Sequence, residues 1–77
     1  MTPEQCRQAR DLLGWKTQRL AGQSSTSDAS VRKYEGRRGA LRPSTVAAFR
    51  AALEAAGVEF IPESGDRAGG RLRKVEP

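Results

Sequence analysis

Histidine is absent from this 77-residue chain, and cysteine occurs once, at Cys6. A lone cysteine cannot close an internal disulfide, and without histidine no zinc site of ordinary composition can be assembled, so neither metal nor cofactor is expected. The missing imidazole removes the commonest general acid or base near neutral pH, and no Ser, Cys or Lys stands in a recognisable nucleophile pattern. These absences point to a binding protein and not an enzyme. Long apolar runs are missing too: nothing approaches the ~20 residues that cross a bilayer, and the first residues have neither a basic start nor an apolar signal core. The expectation is a cytoplasmic protein with no membrane partner. With Trp15, Tyr34, Phe49 and Phe60 as its only aromatics, the chain must build its core mainly from Leu, Val and Ala. A core that thin makes a homodimer a natural source of further burial.

What is present is charge, and it is concentrated. The net charge is +5. Residues 16–42 carry all of it: Lys16, Arg19, Arg32, Lys33, Arg37, Arg38 and Arg42 stand against Asp28 and Glu35, and elsewhere acids and bases balance. A positive stretch of this kind is the electrostatic footprint of a surface that meets nucleic acid phosphates.

Apolar spacing organises the same region into short helices. Thr2 can cap a first helix, with Pro3 in its first turn and Gln5 placed for a capping box. Cys6, Ala9, Leu12 and Leu13 follow at helical spacing and Gly14 supplies a left-handed stop. A second helix over residues 17–23 turns Leu20 and Ala21 inward and begins at Lys16 or Thr17, with Thr17 the better cap. Ser24, Ser25 and Thr26 form a turn. Ser27 caps a third helix over residues 28–35, Val31 and Tyr34 lie on its inner face, and Gly36 ends it. After a basic loop over 36–42, Pro43 or Ser44 opens a fourth helix in which Val46, Phe49, Leu53 and Ala56 recur, and Gly57 closes it. Residues 58–61 read as a strand stopped by Pro62, with a second strand over 71–75 after a glycine-rich connection at 63–70. The fold class is thus mainly α: a four-helix domain over 1–57, and over 58–77 a short C-terminal β-hairpin or flexible tail that would serve dimerisation.

Leu20 and Ala21, Val31 ten residues after Ala21, then Tyr34 and Glu35, with Leu13, Gly14 and Trp15 just upstream, resemble the lambda-repressor-like helix-turn-helix family, the phage repressor and Cro type. The resemblance covers residues 2–57 and has no gap from 13 to 35. It departs at Thr17, where the family usually has Gln, and at residues 24–26, where the family has an Ala-Gly-Val-like turn. Serine lacks glycine's ease with positive φ, which predicts strain at Ser25. The resemblance implies a helix-turn-helix at about 17–35 whose third helix enters the major groove of double-stranded DNA.

Position by position, it implies that Ser27, Asp28, Ala29, Arg32 and Lys33 face the bases. Arg32 or Lys33 would donate to guanine, Ala29 would touch a thymine methyl, and Asp28 would either accept from cytosine or simply complement the helix dipole. Lys16, Thr17, Arg37, Arg38 and Arg42 are the phosphate-contact candidates. Arg10 and Glu35 match positions that form an ion pair in relatives of the family. The expected function is a sequence-specific transcriptional regulator, a small repressor that binds a palindromic operator as a homodimer. The alternative is a protein-interaction module, an antitoxin or antiactivator with a protein partner, on the same fold. RNA binding ranks third, because no exposed aromatic set for stacking bases is evident.

Overall fold

The computed structural model describes residues 1–62 and 70–74. Four helices precede a two-stranded antiparallel sheet, in the order α1 (Pro3–Leu13), α2 (Thr17–Gln23), α3 (Asp28–Glu35), α4 (Pro43–Ala55), β1 (Val58–Pro62) and β2 (Gly70–Lys74). Each boundary has a local chemical cause. At α1 the Thr2 hydroxyl accepts from the Gln5 N–H at 3.1 Å while the Gln5 side-chain Oε1 accepts from the Thr2 N–H at 2.9 Å, so two orphan donors are satisfied reciprocally. Gly14 ends the helix at φ 69°, with its N–H on the Asp11 carbonyl and that of Trp15 on the Arg10 carbonyl.

At the other boundaries the helix limits agree with the sequence expectation and the capping details differ. Lys16 occupies the cap position of α2 without a side-chain cap bond, because an ammonium cannot accept, and Thr17 is the first helical residue. α3 ends at Glu35 with Gly36 in the cap position, as expected, but Gly36 keeps a right-handed backbone and Arg37 takes the left-handed turn at φ 55°. The reversed bonds that close the helix, Arg37 N–H to Tyr34 and Arg38 N–H to Lys33, place the turn there. Pro43 opens α4 as the first helical residue, with Arg42 and not Ser44 in the cap position.

Cys6, Ala9, Leu20, Ala21, Val31, Phe49, Leu53 and Val58 form the buried core, with Leu13, Trp15, Tyr34, Phe60 and Leu72 packed around it. Leu12, expected on the inner face of α1, is 42% exposed. At ~100° per residue it stands roughly 90° from the centre of the face set by Cys6, Ala9 and Leu13. Between α2 and α3, Ser25 has φ 55°, the left-handed conformation for which serine is poorly suited. The neighbouring hydroxyls hold it there: Ser24 Oγ donates to the Leu20 carbonyl at 2.7 Å and lies 2.8 Å from Thr26 Oγ1.

The strands pair with Phe60 opposite Leu72 and Glu59 opposite Arg73. Alternation turns Phe60 and Leu72 toward the helices and leaves Glu59 and Arg73 on the outer face, where they meet at 3.4 Å. β1 leans on α4, while β2 lies chiefly along α1. The second strand begins one residue earlier than expected, and Val75 and residues 63–69 of the expected connection lie outside the described residues.

The first helix and the end of α3 are joined by a nearly buried ion pair. Arg10 Nε and Nη2 donate to Glu35 Oε2 and Oε1, both at 2.7 Å, and the side chains are only 12% and 10% exposed. Arg10 Nη1 donates to the Trp15 carbonyl at 2.9 Å, and the Cys6 thiol donates to Glu35 Oε2 at 3.4 Å. Burial first, and the Glu35 carboxylate second, push the Cys6 thiol up to about 12. Burial likewise raises the Tyr34 phenol, whose hydroxyl donates to the Met1 carbonyl at 3.1 Å.

Removing one partner of the pair strands a buried charge, so Arg10→Met or Glu35→Gln is expected to cost about 3 kcal/mol in urea unfolding. An Arg10→Met/Glu35→Leu double variant should cost clearly less than the sum, and additive effects would contradict the coupling. The folded state keeps the Cys6 proton between its ordinary 9.0 and about 12, where the unfolded chain releases it, so this contribution is intact below pH 9.0 and is lost as pH rises. The unfolding free energy in urea should therefore fall as pH rises above 9.0, with a slope that Cys6→Ala reduces by up to ~1.4 kcal/mol per pH unit. An identical slope in the two proteins would contradict the assignment.

Candidate nucleic-acid interface

The side of α3 opposite Val31 is the centre of the basic stretch. Val31 is fully buried, whereas Ala29, Arg32 and Lys33 are exposed. Ser27 is exposed as well, but its hydroxyl is committed to the helix, accepting from the Ser30 N–H at 3.1 Å and donating to Ser30 Oγ at 2.9 Å. Asp28 and Arg32, one turn apart, form an ion pair between Asp28 Oδ2 and Arg32 Nε at 2.9 Å. The Asp28 side chain is 30% exposed and that of Arg32 67%. Asp28 Oδ1 is shut off from solvent and meets no hydrogen-bond donor among the described residues.

Lys33 does not stand free of the domain. A Cβ built on Gly39 would lie 3.0 Å from Lys33 Cε and 3.6 Å from its Nζ, so the lysine stem runs across the basic loop. Gly39 itself has φ 136°, a conformation that side-chain-bearing residues rarely adopt. The Arg38 stem lies over Gly36 in the same way, with Nε 3.3 Å from the corresponding Cβ position. The absence of side chains at these two positions lets Lys33 and Arg38 fold down while their charged ends remain at the surface.

Arg37, Arg38 and Arg42 are exposed along the loop after α3. At the start of α2, Lys16 is exposed and Thr17 half-buried. Arg19 extends this group; its guanidinium lies 5.4 Å from the Trp15 ring centroid. Sequence reasoning counted Arg19 for its charge without giving it a role, although its four-residue spacing from Trp15 was legible. Both acids of the stretch are engaged, Asp28 with Arg32 and Glu35 with Arg10. Among the described residues, Lys16, Lys33, Arg37, Arg38 and Arg42 have no carboxylate within ion-pair distance. Their field is therefore left uncompensated at close range.

No protein-family model matches this chain, and no curated protein matches it. Among the described residues no group of three or more Cys, Asp or Glu could hold a metal ion, and no helix is long and apolar enough to cross a membrane. A shallow dip lined by Pro3, Glu4, Arg7, Glu35 and Arg37 mixes both signs of charge beside the buried ion pair.

The seat of Lys33 yields a test. Gly39→Ala imposes a strained backbone, with an expected cost of about 1 kcal/mol or more in thermal unfolding. Adding Lys33→Ala should recover little of it, since the flexible stem can move aside and the backbone cannot. Full recovery on truncating Lys33 would show instead that the contact is limiting.

Proposed function

We propose that this protein is a sequence-specific DNA-binding transcriptional regulator of the lambda-repressor-like helix-turn-helix class, and most simply a small repressor. The observation that carries the reading is the outer face of α3. It stands exposed opposite the fully buried Val31, and the uncompensated Arg37, Arg38 and Arg42 continue from its end. In this proposal α3 enters the major groove. Arg32 supplies a planar fork for guanine and Ala29 offers a methyl for thymine. Lys33, folded toward the loop, joins Lys16, Thr17, Arg37, Arg38 and Arg42 on the phosphates, which fix register without carrying sequence information.

A homodimer fits the same reading. Two-fold pairing would set two α3 helices roughly 34 Å apart, one turn of DNA, and so match a palindromic operator. The half-buried Ile61 and the outer row of Glu59 and Arg73 offer a hairpin surface for it.

Selection from a random duplex library should return a two-fold symmetric motif, and a library with no enriched motif overturns the proposal. If a dimer neutralises about 6 to 10 phosphates, the logarithm of the binding constant should fall with the logarithm of salt at a slope of about −5 to −9. Arg37→Gly separates charge from fold: it relieves the left-handed arginine, so stability should hold or rise while affinity drops for all sequences alike.

A further inference from the structure

We infer that Asp28 is a positioning residue for DNA readout, fixing Arg32 so that its outer two nitrogens meet a guanine edge, and not itself a reader of bases. The inference rests on the DNA-binding reading above and deepens it. Neither Asp28 oxygen is well placed to receive a base. Oδ2 is held by Arg32 Nε at 2.9 Å, and Oδ1 carries almost no accessible surface. A cytosine amino group would have to share Oδ2 with the arginine or open the helix to reach Oδ1.

The pair has little value for stability, since Arg32 is largely exposed and a lone surface ion pair barely offsets the entropy of holding two side chains. Its effect is geometric. An arginine has five N–H donors, and using Nε on Asp28 leaves Nη1 and Nη2 as a free coplanar fork, the shape that matches guanine O6 and N7. Holding the stem in advance removes part of the ordering cost that a mobile arginine would meet on binding. Asp28 also partly cancels the Arg32 charge, which weakens indiscriminate attraction to phosphate relative to the directional bond with a base.

The full chain and its Asp28→Asn, Asp28→Glu and Arg32→Ala variants can be titrated by fluorescence anisotropy. The probes are the duplex the wild-type chain selects, its single-base-pair variants and a random duplex. Asp28→Asn and Arg32→Ala should relax discrimination at the same base pair, Asp28→Asn on the order of tenfold. Affinity for random duplex should hold or rise in Asp28→Asn. Asp28→Glu, which still reaches an arginine one turn on, should restore most of the preference. Circular dichroism melts confirm that each variant is folded, and Arg32→Lys, which keeps the charge and loses the fork, should repeat the loss independently. Three outcomes overturn the positioning role: affinity lost evenly over all duplexes, discrimination lost at a base pair that Arg32→Ala leaves untouched, or discrimination unchanged. Failure of the wild-type chain to select any duplex overturns the DNA-binding reading itself, and this inference with it.

Discussion

One guanidinium holds three parts of the chain in register. Arg10, on the first helix, spends two donors on Glu35 at the end of α3 and a third on the carbonyl of Trp15, where α1 hands over to α2. Removing two charges from water is costly, and a pair of this kind need not add net stability over a well-packed apolar substitute. What it adds is definition. A planar fork on a carboxylate tolerates little rotation, so the last turn of α3, and with it the exit of the basic loop, has one place to be relative to α1. The Cys6 thiol reinforces this by donating to the oxygen that Arg10 Nε already holds.

That constraint matters because the helices it organises are short. α2 has seven residues and α3 eight, lengths at which an isolated helix is barely populated in water. Their persistence depends on what they press against: Leu20 and Ala21 from one, Val31 and Tyr34 from the other, closing on Phe49 and Leu53 of α4. The Tyr34 and Phe49 rings, 5.7 Å apart and tilted, meet in this contact. Exposed basic residues can crowd the outer side of α3 because the inner side is so fully used.

The helical elements were legible because their signals are local. Thr2, Pro3 and Gln5 announce a start within four residues, Ser27 does the same for α3, and helical spacing picks out Leu20, Val31, Phe49 and Leu53 without reference to the rest of the chain. Errors arose where a local rule had two satisfactory answers. Leu12 and Leu13 both suit a leucine-rich helix, and only the direction of the whole core leaves one outside. Gly36 caps α3 as its position predicts, yet the left-handed turn falls one position later, on an arginine. The Arg10 and Glu35 pairing, 25 residues apart, had no local signal and entered through family resemblance. The folding of Lys33 onto Gly39 and the packing of β2 along α1 depend on tertiary geometry, which spacing does not encode.

The position of β2 carries a consequence for how the molecule is made. α1 leaves the ribosome first, but one of the surfaces that covers it is supplied by the last strand described. That part of the α1 flank is uncovered until β2 has been made. Contacts between segments so distant in the chain form late, because a long loop must close before they contribute. The finished domain thus holds its first helix against the last strand described.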